Sequence, residues 1–147
     1  MLIIQSATNP TRIRNALVDL IAQGVVELHV ASAYVTESGS RILLDQIRGV
    51  IGARAFDALP KRLVASLDYG LTQPEALRYW KSLGACTVHA AGAEAIRSGR
   101  LTPAGRAFHP KMYLFKRTES ESGLLVGSAT LTVRGLAVNT EAAWRED

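Results

Sequence analysis

The sequence predicts an α/β domain, in which helices and strands alternate along the chain. Its 147 residues fit one domain of ordinary size. Hydrophobic residues make up 48% and charged residues 20%, which is close to the average of folded soluble proteins. Apolar residues recur at the helix period in some segments and at the strand period in others, and the period switches repeatedly. We therefore expect one domain over residues 1–147, without a linker or an internal repeat.

Three segments have the apolar spacing of helices. The first begins near Thr8–Thr11, where a proline suits the first turn, and Gly24 ends it. The second covers Ser38–Gly52, and the third covers Pro74–Leu83. The side chains expected to face the core are Ile13, Leu17, Leu20 and Ile21 in the first helix, and Ile42, Leu43, Ile47 and Ile51 in the second.

Six segments have the composition of strands. The polar segment Thr118–Ser122 predicts a hairpin loop between two of them. Ala91–Ala107 is rich in Gly, Ala and Arg, and it predicts a mobile connection with a helical turn at Glu94–Arg97. The predicted strands are Val25–Val35, Arg62–Leu67, Cys86–Ala90, His109–Arg117, Gly123–Gly127 and Asn139–Trp144.

Several classes of protein are excluded by the sequence. No apolar run approaches the ~20 residues that span a bilayer. The apolar segment Met1–Ile4 has no basic stretch before it, so a signal peptide is not indicated. The single cysteine, Cys86, cannot form an internal disulfide or a metal cluster, and the carboxylates are scattered. We expect a cytoplasmic protein that needs neither a metal ion nor another cofactor.

One segment of the chain is basic and free of acidic residues. The net charge is +4, and the segment Arg97–Arg117 holds six basic residues and no acid. Such a cluster can neutralise the phosphates of a nucleic acid, and a solvated basic face is the alternative. The residues assigned to nucleic-acid binding are Arg97, Arg100, Arg106 and Lys116.

The three histidines have different settings. His29 and His89 lie within predicted strands, where a structural role in the sheet is expected. His109 opens a strand in which Lys111 follows two residues later, so both side chains project from the same face. An imidazole beside an ammonium suits an anionic substrate, because one group can attack or donate a proton while the other holds negative charge.

The residues from His109 onward resemble a known family. His109 and Lys111 match the H-x-K of the phospholipase D superfamily, and Gly127 and Ser128 match the first two positions of its G-S-x-N motif. Thr130 stands where the family usually has Asn. The run GSATLT is most similar to the metal-independent endonuclease branch. The resemblance implies a mixed sheet flanked by helices on both faces.

The resemblance also implies a mechanism. In this superfamily two such motifs face each other: one histidine attacks phosphorus to give a phosphohistidine, and the other protonates the leaving oxygen. This chain has one motif, so a homodimer would share one complete site between two copies of His109. Lys111 would neutralise the phosphate oxygens, Ser128 would donate a hydrogen bond, and Glu141 would accept from the other imidazole nitrogen.

Two further positions carry expectations from the same resemblance. Thr130 and Asn139 are the candidates for additional phosphate contacts. Threonine keeps a hydroxyl donor but lacks the planar amide of asparagine, so this contact would be altered.

A DNA endonuclease is the function expected from these observations, and two alternatives remain open. The first is a catalytically weak nucleic-acid-binding module of a larger helicase or restriction protein. The second is a phospholipid phosphodiesterase or transferase. Nothing in the sequence resembles an amphipathic basic helix with exposed aromatic residues, which disfavours a membrane substrate.

Overall fold

Helices and strands alternate in the computed structural model, which describes residues 1–103 and 105–147. The strands of this part of the chain are β1 (Leu2–Gln5), β2 (Glu27–Ser32), β3 (Lys61–Ser66), β4 (Cys86–Ala91), β5 (Lys111–Lys116), β6 (Ser122–Gly127) and β7 (Glu141–Glu146). The helices are α1 (Arg12–Ala22), α2 (Glu37–Ile51), α3 (Ala53–Ala58), α4 (Pro74–Lys81), α5 (Ala93–Arg97) and α6 (Val133–Ala137), with a 3-10 turn at Asp68–Gly70.

All seven strands belong to one mixed sheet with the order β1-β7-β6-β5-β2-β3-β4. The neighbours β2, β3 and β4 are parallel, and every other neighbouring pair is antiparallel. The predicted hairpin is present as β5 and β6, and the α/β class and the mixed sheet are confirmed. The strand β5 joins the parallel half of the sheet to the antiparallel half.

One face of the sheet carries the hydrophobic core. The chain passes from β1 to β2, from β2 to β3 and from β3 to β4 in the same direction across the sheet. Right-handed connections of this kind put their helices on the same face. There α1 contacts α2 and α6, and α2 contacts α4. The largest buried apolar side chains of this core include Ile13, Leu20, Ile21, Leu28, Leu43, Leu44, Ile47, Phe56, Trp80, Tyr113 and Phe115.

The other face of the sheet is open along β1, β7 and β6. Leu2 pairs with Trp144, which pairs with Val126, and these side chains are 60%, 52% and 41% exposed. The helices α1, α2 and α4 lie on the opposite face, because the three crossovers between β1 and β4 run in one direction across the sheet.

The remaining differences from the predicted elements are local. The strand predicted over Val25–Val35 is shorter, and Leu44 rather than Ile42 or Ile51 is fully buried in α2. The strand β1 and the helices α3 and α6 were not predicted. Each of these three has six or fewer residues, which is too short for a periodic pattern to stand out. Within the predicted connection Ala91–Ala107, α5 matches the expected turn, and residue 104 lies outside the described residues.

The first turn of α2 packs directly against the chain that follows β6. A Cβ placed on Gly39 would overlap the carbonyl oxygen of Leu131 and lie 2.6 Å from the Cα of Thr132. Gly49, in the same helix, has nothing within 4 Å of its Cβ position. The close approach of α2 to the backbone of Leu131 and Thr132 therefore requires glycine at position 39, whereas position 49 has room for a side chain.

This contrast gives a matched pair of variants. Gly39→Ala is expected to lower the free energy of unfolding by about 1–3 kcal/mol, because two backbone segments must separate. Gly49→Ala is expected to raise it by about 0.5–1 kcal/mol, because alanine is the better helix former. Urea denaturation of both variants measures the difference. Equal stability of the two variants would contradict the packing described here.

Candidate active site

The ends of four strands meet at one edge of the sheet. Ser32, at the end of β2, pairs with Lys111 at the start of β5. At the same edge β6 ends with Gly127, and β7 begins with Glu141. Because the neighbouring strands are antiparallel, the start of one lies beside the end of the next. The sheet thereby brings together segments that are far apart in sequence.

His109 and Lys111 are in direct contact at this edge. The Lys111 ammonium nitrogen lies 2.6 Å from His109 Nδ1 and 3.3 Å from Nε2, and it donates to the His109 carbonyl oxygen at 2.9 Å. His109 is exposed, whereas Lys111 is only 7% exposed. Burial lowers the pKa of Lys111, and the nearby charge of Glu141 opposes this shift. The pair therefore presents an accessible imidazole with a buried cation behind it.

Ser128 and Glu141 form a second pair. The Ser128 hydroxyl donates a hydrogen bond to Glu141 Oε2 and accepts one from the backbone N–H of Ala142 at 3.1 Å. The backbone N–H of Ser128 also donates to the Ala142 carbonyl oxygen at 2.9 Å, which continues the pairing of β6 with β7. Glu141 is 9% exposed. Its carboxylate accepts a hydrogen bond from Ser128, and its negative charge favours the protonated form of Lys111.

The expected hydrogen bond from His109 to Glu141 is not among those of the described residues. The Glu141 carboxylate accepts from Ser128, and the ring nitrogens of His109 face Lys111. Because β6 lies between β5 and β7, Glu141 at the start of β7 is adjacent to Ser128, which follows β6. Within one chain, Glu141 therefore forms its hydrogen bond with Ser128 and its electrostatic interaction with Lys111, and neither with the imidazole.

Thr130 and Asn139 are engaged at the two ends of α6. The Thr130 hydroxyl lies 3.2 Å from that of Thr132, whose side chain accepts from the N–H of Gly135 and caps the helix. Arg134 Nε donates to Asn139 Oδ1 at 3.4 Å. Among the described residues, neither side chain forms a hydrogen bond with His109. Both side chains contact residues in or next to α6.

The predicted basic residues fall into two groups. Arg97, Arg100 and Arg106 are exposed in and after α5, in the connection that leads to His109. Lys116 is at the far end of β5, five residues from Lys111, which is roughly 17 Å at about 3.3 Å per residue. Its ammonium lies 3.6 Å from a carboxylate oxygen of Glu27. Lys116 therefore lies away from the His109 edge, and its assignment to nucleic-acid binding stays a prediction.

The other two histidines lie in the sheet as expected. His29 is in β2, where its Nε2 lies 2.8 Å from Glu27 Oε1. His89 is exposed in β4. Among the residues that the structure describes, no three His, Cys, Asp or Glu side chains lie close enough together to hold a metal ion. In the same residues no helix is both long and apolar enough to cross a membrane.

Three further residues lie at this edge, and one of them, Tyr113, was not singled out from the sequence. The Tyr34 ring meets the His109 ring edge-on, with centroids 5.9 Å apart. Ser32 accepts from the N–H of Leu131 at 2.9 Å and so ties the chain after β6 to β2. Tyr113 donates to the Ala129 carbonyl oxygen at 2.9 Å, and burial together with the charge of Glu141 raises its pKa. The shared face of Lys111 and Tyr113, two residues apart on β5, was the signal available in the sequence.

Similar solved structures were found, although no protein family profile and no curated protein matches the sequence. NucT from Helicobacter pylori superimposes with a TM-score of 0.60 at 15% identity, over 99% of this chain and 82% of that one. The phospholipase D family member Nuc from Salmonella typhimurium has a TM-score of 0.55 at 11% identity, over 97% and 80% of the two chains.

A third structure is a mutant of yeast tyrosyl-DNA phosphodiesterase 1. It has a TM-score of 0.56 at 11% identity and covers 100% of this chain, which corresponds to 31% of the yeast chain. These likenesses show that the chain has the phospholipase D fold, as the H-x-K and G-S motifs implied.

Proposed function

We propose that this phospholipase D fold carries a metal-independent phosphodiesterase, a DNA endonuclease that works as a homodimer through a phosphohistidine intermediate. The contact of the Lys111 ammonium with His109 Nδ1 at 2.6 Å carries the proposal. It joins the side chain that can attack phosphorus to the cation that can hold a phosphate oxygen, at an exposed edge of the sheet. The Ser128–Glu141 pair completes a polar surface beside them.

The reaction has two displacements at phosphorus. In the first, a His109 nitrogen bonds to phosphorus, the P–O bond to the leaving group breaks, and the imidazolium of the second His109 protonates the leaving oxygen. In the second, that imidazole takes a proton from water, the water oxygen bonds to phosphorus, and the P–N bond breaks. Lys111 neutralises the oxygens that gain charge in both steps, and Ser128 donates to one of them.

The second histidine has to come from a second chain, because the described sheet edge holds one His-x-Lys pair. A two-fold axis beside His109 would bring both imidazoles to one phosphate. One chain has a mass of 15.8 kDa, and sedimentation at micromolar concentration is expected to give twice this mass. A strictly monomeric protein with full hydrolytic activity would rule out the shared site.

DNA is the proposed substrate because the connection to the site is basic. Arg97, Arg100 and Arg106 are exposed and can contact the phosphates that flank the scissile bond. The yeast neighbour is by its name a DNA phosphodiesterase. DNA is accordingly the substrate that we propose, and the cytoplasm remains the location expected from the sequence.

Metal independence provides the direct test of the chemistry. Cleavage of plasmid DNA and of bis(p-nitrophenyl) phosphate is expected to continue in excess EDTA, because the groups that attack and neutralise are side chains of the protein. The rates with and without chelator are compared in the same buffer. Loss of cleavage in EDTA that magnesium restores would reject the phosphohistidine route.

A nucleic-acid-binding module without turnover is the second candidate, and the engagement of Thr130 favours it. Its hydroxyl pairs with Thr132 and not with the His109 edge, so the contact that an asparagine supplies in the family is changed. Salt-dependent DNA binding without hydrolysis of either substrate would select this function. Hydrolysis of phospholipid vesicles in place of DNA would select the phospholipase alternative.

A further inference from the structure

A buried carboxyl group lies behind the candidate site and has no part in the chemistry proposed above. Asp68 begins the 3-10 turn that follows β3, and it is 4% exposed. It forms no ion pair within the described residues. Burying a carboxyl group is unfavourable unless hydrogen bonds compensate for the lost water, so its partners indicate why it is there.

The partner of this carboxyl group is the residue before His109. Asp68 Oδ2 accepts from the backbone N–H of Phe108 at 3.1 Å. On the other side of His109, the Pro110 carbonyl oxygen accepts from the N–H of Ala33 at 2.9 Å. The His109 backbone is thus held from both sides, by the loop after β3 and by the chain leaving β2.

The surroundings of Asp68 are built to hold the carboxyl group in this orientation. A Cβ on Gly92 would lie 2.6 Å from Asp68 Oδ1, and Gly92 has a φ of +83°, so the glycine leaves room for the carboxyl group. The N–H of Asp68 donates to Ser66 Oγ at 3.0 Å. The next residue, Tyr69, adopts a left-handed φ of 61° and donates its N–H to the Leu101 carbonyl oxygen.

The 3-10 turn is therefore tied twice to the segment that leads to His109, at Leu101 and at Phe108. A left-handed conformation is unfavourable at a tyrosine, and such strain persists only where the surrounding structure holds it. Here the two hydrogen bonds to the segment hold it. The same two hydrogen bonds connect the segment before His109 to the loop after β3.

We propose that Asp68 is a positioning residue for His109, which it orients through the Phe108 N–H. This inference rests on the proposed function, in which His109 attacks phosphorus. Without the acceptor, the segment before His109 can shift, and a displacement of about 1 Å at a nucleophile can cost on the order of a hundredfold in rate. The cavity of about 220 Å³ beside Asp68 leaves the segment room to move.

The test compares two substitutions at position 68 with bis(p-nitrophenyl) phosphate as substrate. Asp68→Ala is expected to lower kcat about 10- to 100-fold and to change KM less than about threefold, since Lys111 remains in place. Asp68→Asn is expected to stay within about threefold of wild type, because the amide oxygen can accept the same N–H. Glu94→Ala is the matched control: it removes an exposed acid from the same cavity, and its kcat should equal that of wild type.

A spectroscopic measurement separates this inference from the proposed function. In wild type the Phe108 amide is expected to be protected from hydrogen exchange, and the His109 imidazole resonances are expected to move in Asp68→Ala but not in Asp68→Asn. An inactive wild type with these signatures would reject the function and leave the positioning role standing. An unprotected Phe108 amide overturns the inference even if Asp68→Ala does not fold, and so does an Asp68→Ala with the kcat of wild type.

Discussion

Replacing His109 with alanine is expected to lower the rate of phosphodiester hydrolysis by at least about a thousandfold, while DNA binding stays close to that of wild type. The proposed reaction loses both its nucleophile and its general acid, because each chain of the dimer supplies one of them. Removing such a group in other hydrolases costs on the order of 10⁴- to 10⁶-fold in kcat. Binding persists because Lys111 and the exposed arginines remain.

The matched control for this variant is His89→Ala. His89 is also an exposed histidine of the same sheet, on the edge strand β4. His89→Ala therefore removes one imidazole, as His109→Ala does, but leaves the candidate site unchanged. Hydrolysis of bis(p-nitrophenyl) phosphate and DNA anisotropy titrations are measured for both variants. If His109→Ala turned over at nearly the rate of wild type, the phosphohistidine route would be wrong for this protein.

Replacing Lys111 with methionine is expected to reduce both DNA affinity and turnover, with a loss in kcat/KM of about a hundredfold or more. Its ammonium neutralises phosphate oxygens in the bound substrate and to a greater degree in the transition state. Methionine preserves most of the side-chain volume at a position that is 7% exposed, so the fold should persist. Lys81→Met, at an exposed position of α4, controls for the loss of one positive charge.

The same lysine predicts the alkaline limit of activity. Burial lowers the pKa of Lys111 below that of an ordinary lysine, which is about 10.4. Because the charged form is the one that holds phosphate, kcat/KM is expected to fall with rising pH before ordinary lysines lose their protons. A pH–rate profile of wild type measures this fall. An alkaline limb at the ordinary lysine value would show that burial does not weaken the charge of Lys111.

The contact between His109 and Lys111 shows what local sequence can predict. The predicted strand began at His109, whereas β5 begins at Lys111, yet the two side chains still meet, with Lys111 Nζ 2.6 Å from His109 Nδ1. The helices α1, α2 and α4 could be predicted for a similar reason, since each repeats its apolar residues over several turns. These features depend only on neighbours along the chain.

The positions of other residues depend on the sheet as a whole. Lys116 shares a strand with Lys111, so sequence distance suggested one basic surface, but the strand carries it to the opposite edge. Glu141 was expected on His109, and the strand order instead places β6 and Ser128 between them. The contact of Asp68 with Phe108 joins residues forty positions apart, so no local pattern indicates it. Strand order and long-range contacts are not encoded in any short motif.

The pairing of β1 with β7 has a consequence for how the protein folds. Leu2–Gln5 lie beside Glu141–Glu146, so two neighbouring strands of the sheet are far apart in the sequence. Closing so long a loop costs conformational entropy before the hydrogen bonds between the two strands offset it. Until β7 pairs with it, the apolar β1 segment has an unpaired edge that can associate with other chains. A folding intermediate without this pairing is therefore expected to be the species most prone to aggregation.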